Sequence, residues 1–378
     1  MLFVDPEGNS VEVAGDETDI NVEEKNEITI DIPEGGKLAM VSDKDLDFTS
    51  LEAKGVKAYI CTGYETETKN FWMTRVKDVP ANTPILVMGK GTHTVPVGTS
   101  RIYYPKNFFI GDAKDNFSVD KSDGYLNFVI TKSKGTIASM PSSTSTMDAG
   151  KAYLHVPADV ASNVASDKQE FKMGVGKKLL TVSDYDLDFS SVEGLKAYVS
   201  TGFDLDRNIW LSRVMKVSAG TPIELIGEQS EGVYNVPSAA TKVAYVNMFV
   251  GNTSSSAVTI SPEMDGNVVY VLQLSKGTYA TIGKDASMAK GKAWLLVPKT
   301  FYSRISASRG NFDINDEEAE VICIKAGLGG EDDGTTGIRS VDEGQFTNDT
   351  WYNLNGQRID TPMRKGLYIK NGKKVVVK

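Results

Sequence analysis

Two runs of alternate aspartates are the densest chemistry in this 378-residue sequence: Asp43, Asp45 and Asp47, then Asp184, Asp186 and Asp188. Acids at every second position open a calcium loop, which also needs glycine at its sixth place and a bidentate acid at its twelfth. Phe48 and Phe189 stand at the sixth place here, Lys54 and Leu195 at the twelfth. The favoured reading is a turn feeding a strand, with Leu46/Phe48 and Leu187/Phe189 pointing inward; metal ligation is the weaker alternative. The same acids with Glu52 and Glu193 would suit a glycosidase carboxylate pair. One active site needs one set of acids, however, and this set occurs twice.

Trp72 and Trp210 have the shape of sugar-stacking platforms, against a plainer reading as strand core. Tyr103 and Tyr104, read as having no second copy, are the better ligand candidates on that logic. His93 and His155 have no nucleophile fixed at a useful spacing. With two cysteines, Cys61 and Cys323, neither a disulfide framework nor a zinc ribbon is available, although one bridge between them is open in an oxidising compartment. Gly174-Val175-Gly176-Lys177 lacks the first glycine and the Ser/Thr of a phosphate loop. These residues call for no cofactor.

The elements that must position these side chains come in two copies. Val41–Phe48 returns as Val182–Phe189, and Lys57-Ala58-Tyr59 as Lys196-Ala197-Tyr198. Asn70, Trp72, Arg75 and Val76 return at Asn208, Trp210, Arg213 and Val214, and Gly150-Lys151-Ala152 returns at Gly291-Lys292-Ala293. Over four gap-free blocks, 27 of 43 positions are identical. A period near 140 residues is a tandem domain, not a solenoid repeat. Each copy shows short β-rich runs every 8–15 residues, punctuated by Gly, Asn, Asp, Ser and Pro, and no sustained helical period. The expected class is all-β: two homologous β-sandwich or small-barrel modules, with trefoil-like barrels as the alternative. Gly176, Gly220 and Gly291 are expected to supply left-handed turns ahead of strands.

The expected divisions are an acidic segment at 1–25, modules at 26–160 and 166–326, a linker at 327–350 and a hairpin tail at 351–378. The two modules are expected to fold independently. The net charge of −9 is concentrated at the flanks, since residues 1–35 carry 11 acids and one base. That balance argues against nucleic acid as a partner. No stretch approaches the ~18 apolar residues of a membrane span, and Met1–Pro6 shows no basic, apolar leader. In the tail, Asn355-Gly356 and Asn371-Gly372 are preferred two-residue hairpin turns.

The module resembles one found in surface and secreted proteins of Bacteroides and Prevotella-type bacteria. The residues that carry the likeness are Leu46-Asp47-Phe48, Lys57-Ala58-Tyr59, Val79–Pro84, Ala149–Leu154 and their second copies. The tail, with Trp351–Arg358, Gly366, Tyr368, Lys373, Lys374 and Lys378, is similar to the end of a type IX secretion sorting signal. The resemblance implies export to the cell surface or medium and recognition of the tail by secretion machinery. The expected function is non-catalytic: adhesion, or binding of a glycan or a host or cell-surface protein. The alternative is a structural accessory region of a larger exported protein or enzyme, with a glycoside hydrolase ranked last.

Overall fold

A computed structural model describes residues 26–140, 145–302, 311–315 and 318–326 in full. It describes only the backbone of strands at 2–4, 10–12, 351–352, 358–359, 366–370 and 373–377. The chain is all-β, with sheets curled into half-barrels.

Residues 26–157 contribute eleven principal strands: β1 (Glu27–Ile32), β2 (Lys37–Met40), β3 (Lys57–Glu65), β4 (Asn70–Val76), β5 (Ile85–Met88), β6 (Gly91–Pro96), β7 (Ile102–Tyr103), β8 (Phe109–Asp112), β9 (Tyr125–Ile130), β10 (Ile137–Ser139) and β11 (Lys151–Pro157). Residues 169–325 add β12 (Gln169–Lys172), β13 (Lys178–Val182), β14 (Leu195–Asp204), β15 (Asn208–Val214), β16 (Pro222–Gly227), β17 (Val233–Val236), β18 (Val243–Tyr245), β19 (Phe249–Gly251), β20 (Asn267–Gln273), β21 (Thr278–Thr281), β22 (Ala293–Pro298), β23 (Asp313–Ile314) and β24 (Val321–Lys325).

In module 1 one long sheet runs β10-β9-β11-β2-β5-β3-β4-β24. A two-stranded ribbon, β1 with β6, packs over it, burying Ile30, Ile32 and Val95 with Leu46, Phe48 and Val56. The other face buries Tyr59, Cys61, Phe71, Met73, Phe128 and Leu154. β3 is buried along nearly its whole length because both its faces are covered, and it carries charged residues only at its two ends. Module 2 places β13-β16-β14-β15-β23 in one sheet and β19-β22-β20 in another, bridged at Thr181–Lys292, with the β12–β17 ribbon over the first. The β3–β4 hairpin shifts register between Cys61 and Gly63, and the β14–β15 hairpin does so between Ser200 and Gly202.

Two findings go against independent modules. First, β24, at the end of the stretch expected to be module 2, pairs along β4, so residues 321–325 complete module 1 instead. Second, each module lends a strand to its neighbour. β7 pairs with β14 (Ile102–Asp204, Tyr103–Phe203), and β18 pairs with β3 (Val243–Glu65, Ala244–Tyr64). The exchange is reciprocal, as in a symmetric dimer interface. Corresponding ion pairs join Arg101 to Asp206 at 2.6 Å and Lys242 to Glu67 at 3.6 Å. Between them, Thr74 and Ser212, which occupy matching places in the two copies, share a buried hydroxyl hydrogen bond of 2.7 Å.

The close approach explains two glycines. A Cβ on Gly202 would stand 2.5 Å from the Tyr103 carbonyl oxygen, and one on Gly63 would stand 2.8 Å from the Tyr245 ring. Gly220 and Gly291 are left-handed as expected, with φ of 80° and 78°, but at 176–177 the positive φ belongs to Lys177. Gly176 is needed for a different reason: a Cβ there would meet the Gly277 backbone nitrogen at 2.6 Å. Strands 351–352, 358–359, 366–370 and 373–377 form a four-stranded sheet of their own. No helix among the described residues is long and apolar enough to cross a membrane.

Candidate functional site

The aspartates staple loops. Asp45 accepts backbone N–H bonds from Ala81 at 2.6 Å and Ser100 at 2.7 Å. Asp186 accepts them from Ala219 at 2.8 Å and Thr241 at 3.0 Å, and a further bond from the Ser162 hydroxyl. Burial pushes the Asp186 carboxyl up, but these donors outweigh it and hold it below the usual carboxylate range. Asp47 and Asp188 cap their own turns through Thr49 and Ser190 N–H groups. Asp184 pairs with Lys290, and Asp43 is exposed. Among the described residues, no three His, Cys, Asp or Glu side chains converge as a metal would need.

The aromatic candidates lie at the seam between modules. Tyr103 packs on Phe203 and Phe301, while Tyr104 is buried in the module 1 core. Trp210 packs from module 2 against that same core and donates its indole N–H to Asp204 at 3.2 Å. Trp72 lies opposite Gly63, and its indole nitrogen is buried without a partner. Tyr104 has a counterpart after all, since Tyr245 occupies the corresponding place against Gly63. Cys61 pairs in register with Met73, and Cys323 with Trp72. Neighbouring residues of a strand face opposite ways, so the two cysteines lie on opposite sides of the sheet. Both are free thiols.

An open cleft of about 640 Å³ lies on module 2 between the β13-β16-β14-β15 face and the segment around Glu318. Strand alternation puts Lys196 and Tyr198 on one face, and Tyr198 sits directly opposite Arg213. Glu318 reaches in from the later segment, 2.8 Å from Lys196 Nζ and 3.5 Å from Arg213 Nη1. Glu193, Glu228, Val192, Leu211 and Ile226 complete the walls.

Module 1 has the same three residues, Lys57, Tyr59 and Arg75, and there the place is filled. Glu320 lies 2.9 Å from Lys57 Nζ and 3.2 Å from Arg75 Nη1. Glu52 closes on Arg75 Nη2 at 2.6 Å from the 3₁₀ turn Thr49–Lys54, which Leu51 anchors in the core. Burial, with the Glu320 charge nearby, pushes the Tyr59 hydroxyl up to about 12. Nine residues separate Asp47 from Lys57, but seven separate Asp188 from Lys196. The shorter connection forms turns without the 3₁₀ helix, and the cleft opens beside it.

Deeper along the same sheet face, in register with Tyr198, Glu224 is fully buried and accepts a hydrogen bond from Tyr279 at 2.5 Å. Burial pushes its carboxyl up to about 7, against the smaller pull of Tyr279 and Lys178. Module 1 places Leu86 and Ile137 at these positions. Sequence reasoning missed Glu224, Glu318, Glu320 and the cleft. The available signals were the two-residue shortening before Lys196 and the Leu-to-Glu change after Thr-Pro-Ile.

Of the sorting-like residues, Gly366 and Tyr368 lie on one strand and Lys373 and Lys374 on the next. Lys378 and all tail side chains lie outside the described residues. The chain matches no family model, no curated protein and no solved structure.

Proposed function

We propose that this is a non-catalytic binding protein of the bacterial cell surface or medium, a duplicated module in which the second copy takes a glycan. One observation carries the reading: the same Lys-Tyr-Arg place is sealed in module 1 by Glu52 and Glu320 and open in module 2. A cleft of this volume, with a few convergent polar groups over apolar side chains, is the usual form of a small-ligand site. The export address rests on the resemblance of the modules and tail.

Catalysis has less to stand on. Asp45 and Asp186 are taken up by N–H donors. Glu224 has an acid's raised pKa, but it is fully buried, its carboxyl bonds Tyr279, and it is not among the groups lining the cleft. The test is a glycan array read with the intact protein and with Arg213→Ala. Retention of a glycan by the first and not the second supports the reading. Failure of both to bind any glycan, or release of a cleaved product, overturns it.

A further inference from the structure

Resting on that reading, we infer that the module 2 cleft recognises a sugar carboxylate, and that Glu318 occupies the carboxylate position until the ligand displaces it. The geometry is displayed twice. In each module a lysine and an arginine on one sheet face converge on a single carboxylate, Glu320 in module 1 and Glu318 in module 2. Both acids come from one short segment of chain, three residues wide, that spans the two places.

The two occupants are held differently. Arg75 is only 10% exposed and also bonds Glu52, so its carboxylates are locked in. Arg213 is 38% exposed and its contact with Glu318 is long at 3.5 Å. Lys196 and Tyr198 also hold Glu318, whose exposure of 37% is close to the 32% of Glu320, so the contrast lies in the two arginines. An exposed ion pair of this kind is worth under about 1 kcal/mol, so an incoming carboxylate can replace it at little cost. Both arginines keep a buried Nε without a partner, so this feature is common to the two places.

The remaining walls favour a sugar over a peptide. Glu193 and Glu228 are hydrogen-bond acceptors beside the cation pair. Sugar hydroxyls can donate to both, whereas the side chains of an acidic peptide offer only acceptors. Leu211 and Ile226 offer apolar contact for the C–H face of a pyranose ring. The ligand class that meets all three requirements is a hexuronate-containing oligosaccharide.

Calorimetric titration of the full chain with trigalacturonate, its methyl ester, neutral trigalactose and an acidic tripeptide tests this. The acid form should bind, and esterification should weaken it about tenfold or more, the worth of a charge-assisted hydrogen bond. Glu318→Gln should tighten trigalacturonate about two- to fivefold by removing the competitor. Glu320→Gln, at the sealed place, should leave its affinity unchanged. A purely structural Glu318 predicts no tightening, and that result overturns the inference, as does equal binding of acid and ester or binding of the tripeptide alone. Trigalactose binding lost in Arg213→Ala would refute the carboxylate claim and leave the binding reading standing. If no glycan binds, both fall.

Discussion

Arg75 and Arg213 occupy the same place in two copies of one module, yet one is a sealed ion cluster and the other lines an open cleft. The sheet residues at the two places are the same: Lys57, Tyr59 and Arg75 against Lys196, Tyr198 and Arg213. The difference lies in what covers them. A 3₁₀ turn brings Glu52 onto Arg75, and β24 seals the neighbouring edge of β4. In module 2 the connection is two residues shorter, and the strand beside β15 is only the two-residue β23. Where the framework is the same and the cover differs, the cover alone decides whether the Lys-Tyr-Arg face is sealed or open.

The largest expected effect comes from removing module 1's borrowed cover. Truncation after Glu320 deletes β24 and takes Ile324 and Ala326 out of the core, with Ile322 beside them. At about 1.5–3 kcal/mol per buried aliphatic side chain, the loss should be about 3–6 kcal/mol, read as a lower melting midpoint. Truncation after Asp349 keeps β24 and should leave the midpoint unchanged while abolishing export in a host with type IX machinery. Equal destabilisation by both truncations would place the tail within the folded modules.

Glu224 sharpens the comparison through pH. Its folded value near 7 lies above its ordinary 4.5, so the folded chain holds a proton that the unfolded chain has lost. That contribution is complete below about pH 4.5 and is lost as pH rises through 7, roughly 3 kcal/mol across the window. Glu224→Leu with Tyr279→Ile, the pair that module 1 carries, should flatten this slope in denaturant titrations at pH 5 and 8. An unchanged slope would assign it to other groups.

The seam offers a smaller asymmetric test. Gly202→Ala drives a methyl group against the Tyr103 backbone oxygen and should cost on the order of 1–3 kcal/mol. Gly63→Ala meets mainly the Tyr245 ring, which can turn aside, and should cost less. Comparable losses would mean that the two halves of the seam are equally rigid. Smallest of all, Arg213→Ala should change stability by less than about 1 kcal/mol, as for an exposed pair. Arg75→Ala leaves Glu52 and Glu320 facing each other and should cost more.

Much of the framework was legible in single residues. Leu46 and Phe48 point inward as the alternation demands, and Asp45, Asp47 and their copies are turn residues. What the aromatic candidates pack against was not legible, for a definable reason. Trp72, Trp210, Tyr103 and Tyr104 have ligand-platform chemistry, but the surface they meet is the other module, and nothing local to them in sequence says so. The cleft escaped because its defining residues lie more than a hundred positions apart, as with Lys196 and Glu318.

By itself the sequence determined the β class, the duplicated period and the loops that the aspartates tie, because these depend on short-range alternation and turn chemistry repeated in two places. Only the tertiary structure decided that the modules exchange strands, that residues 321–325 close module 1, and that one Lys-Tyr-Arg face is covered while its twin is open. Those outcomes turn on which distant segment buries which sheet edge. That choice is made by packing and hydrogen bonding across the whole chain, and it leaves no periodic mark in the residues that make it.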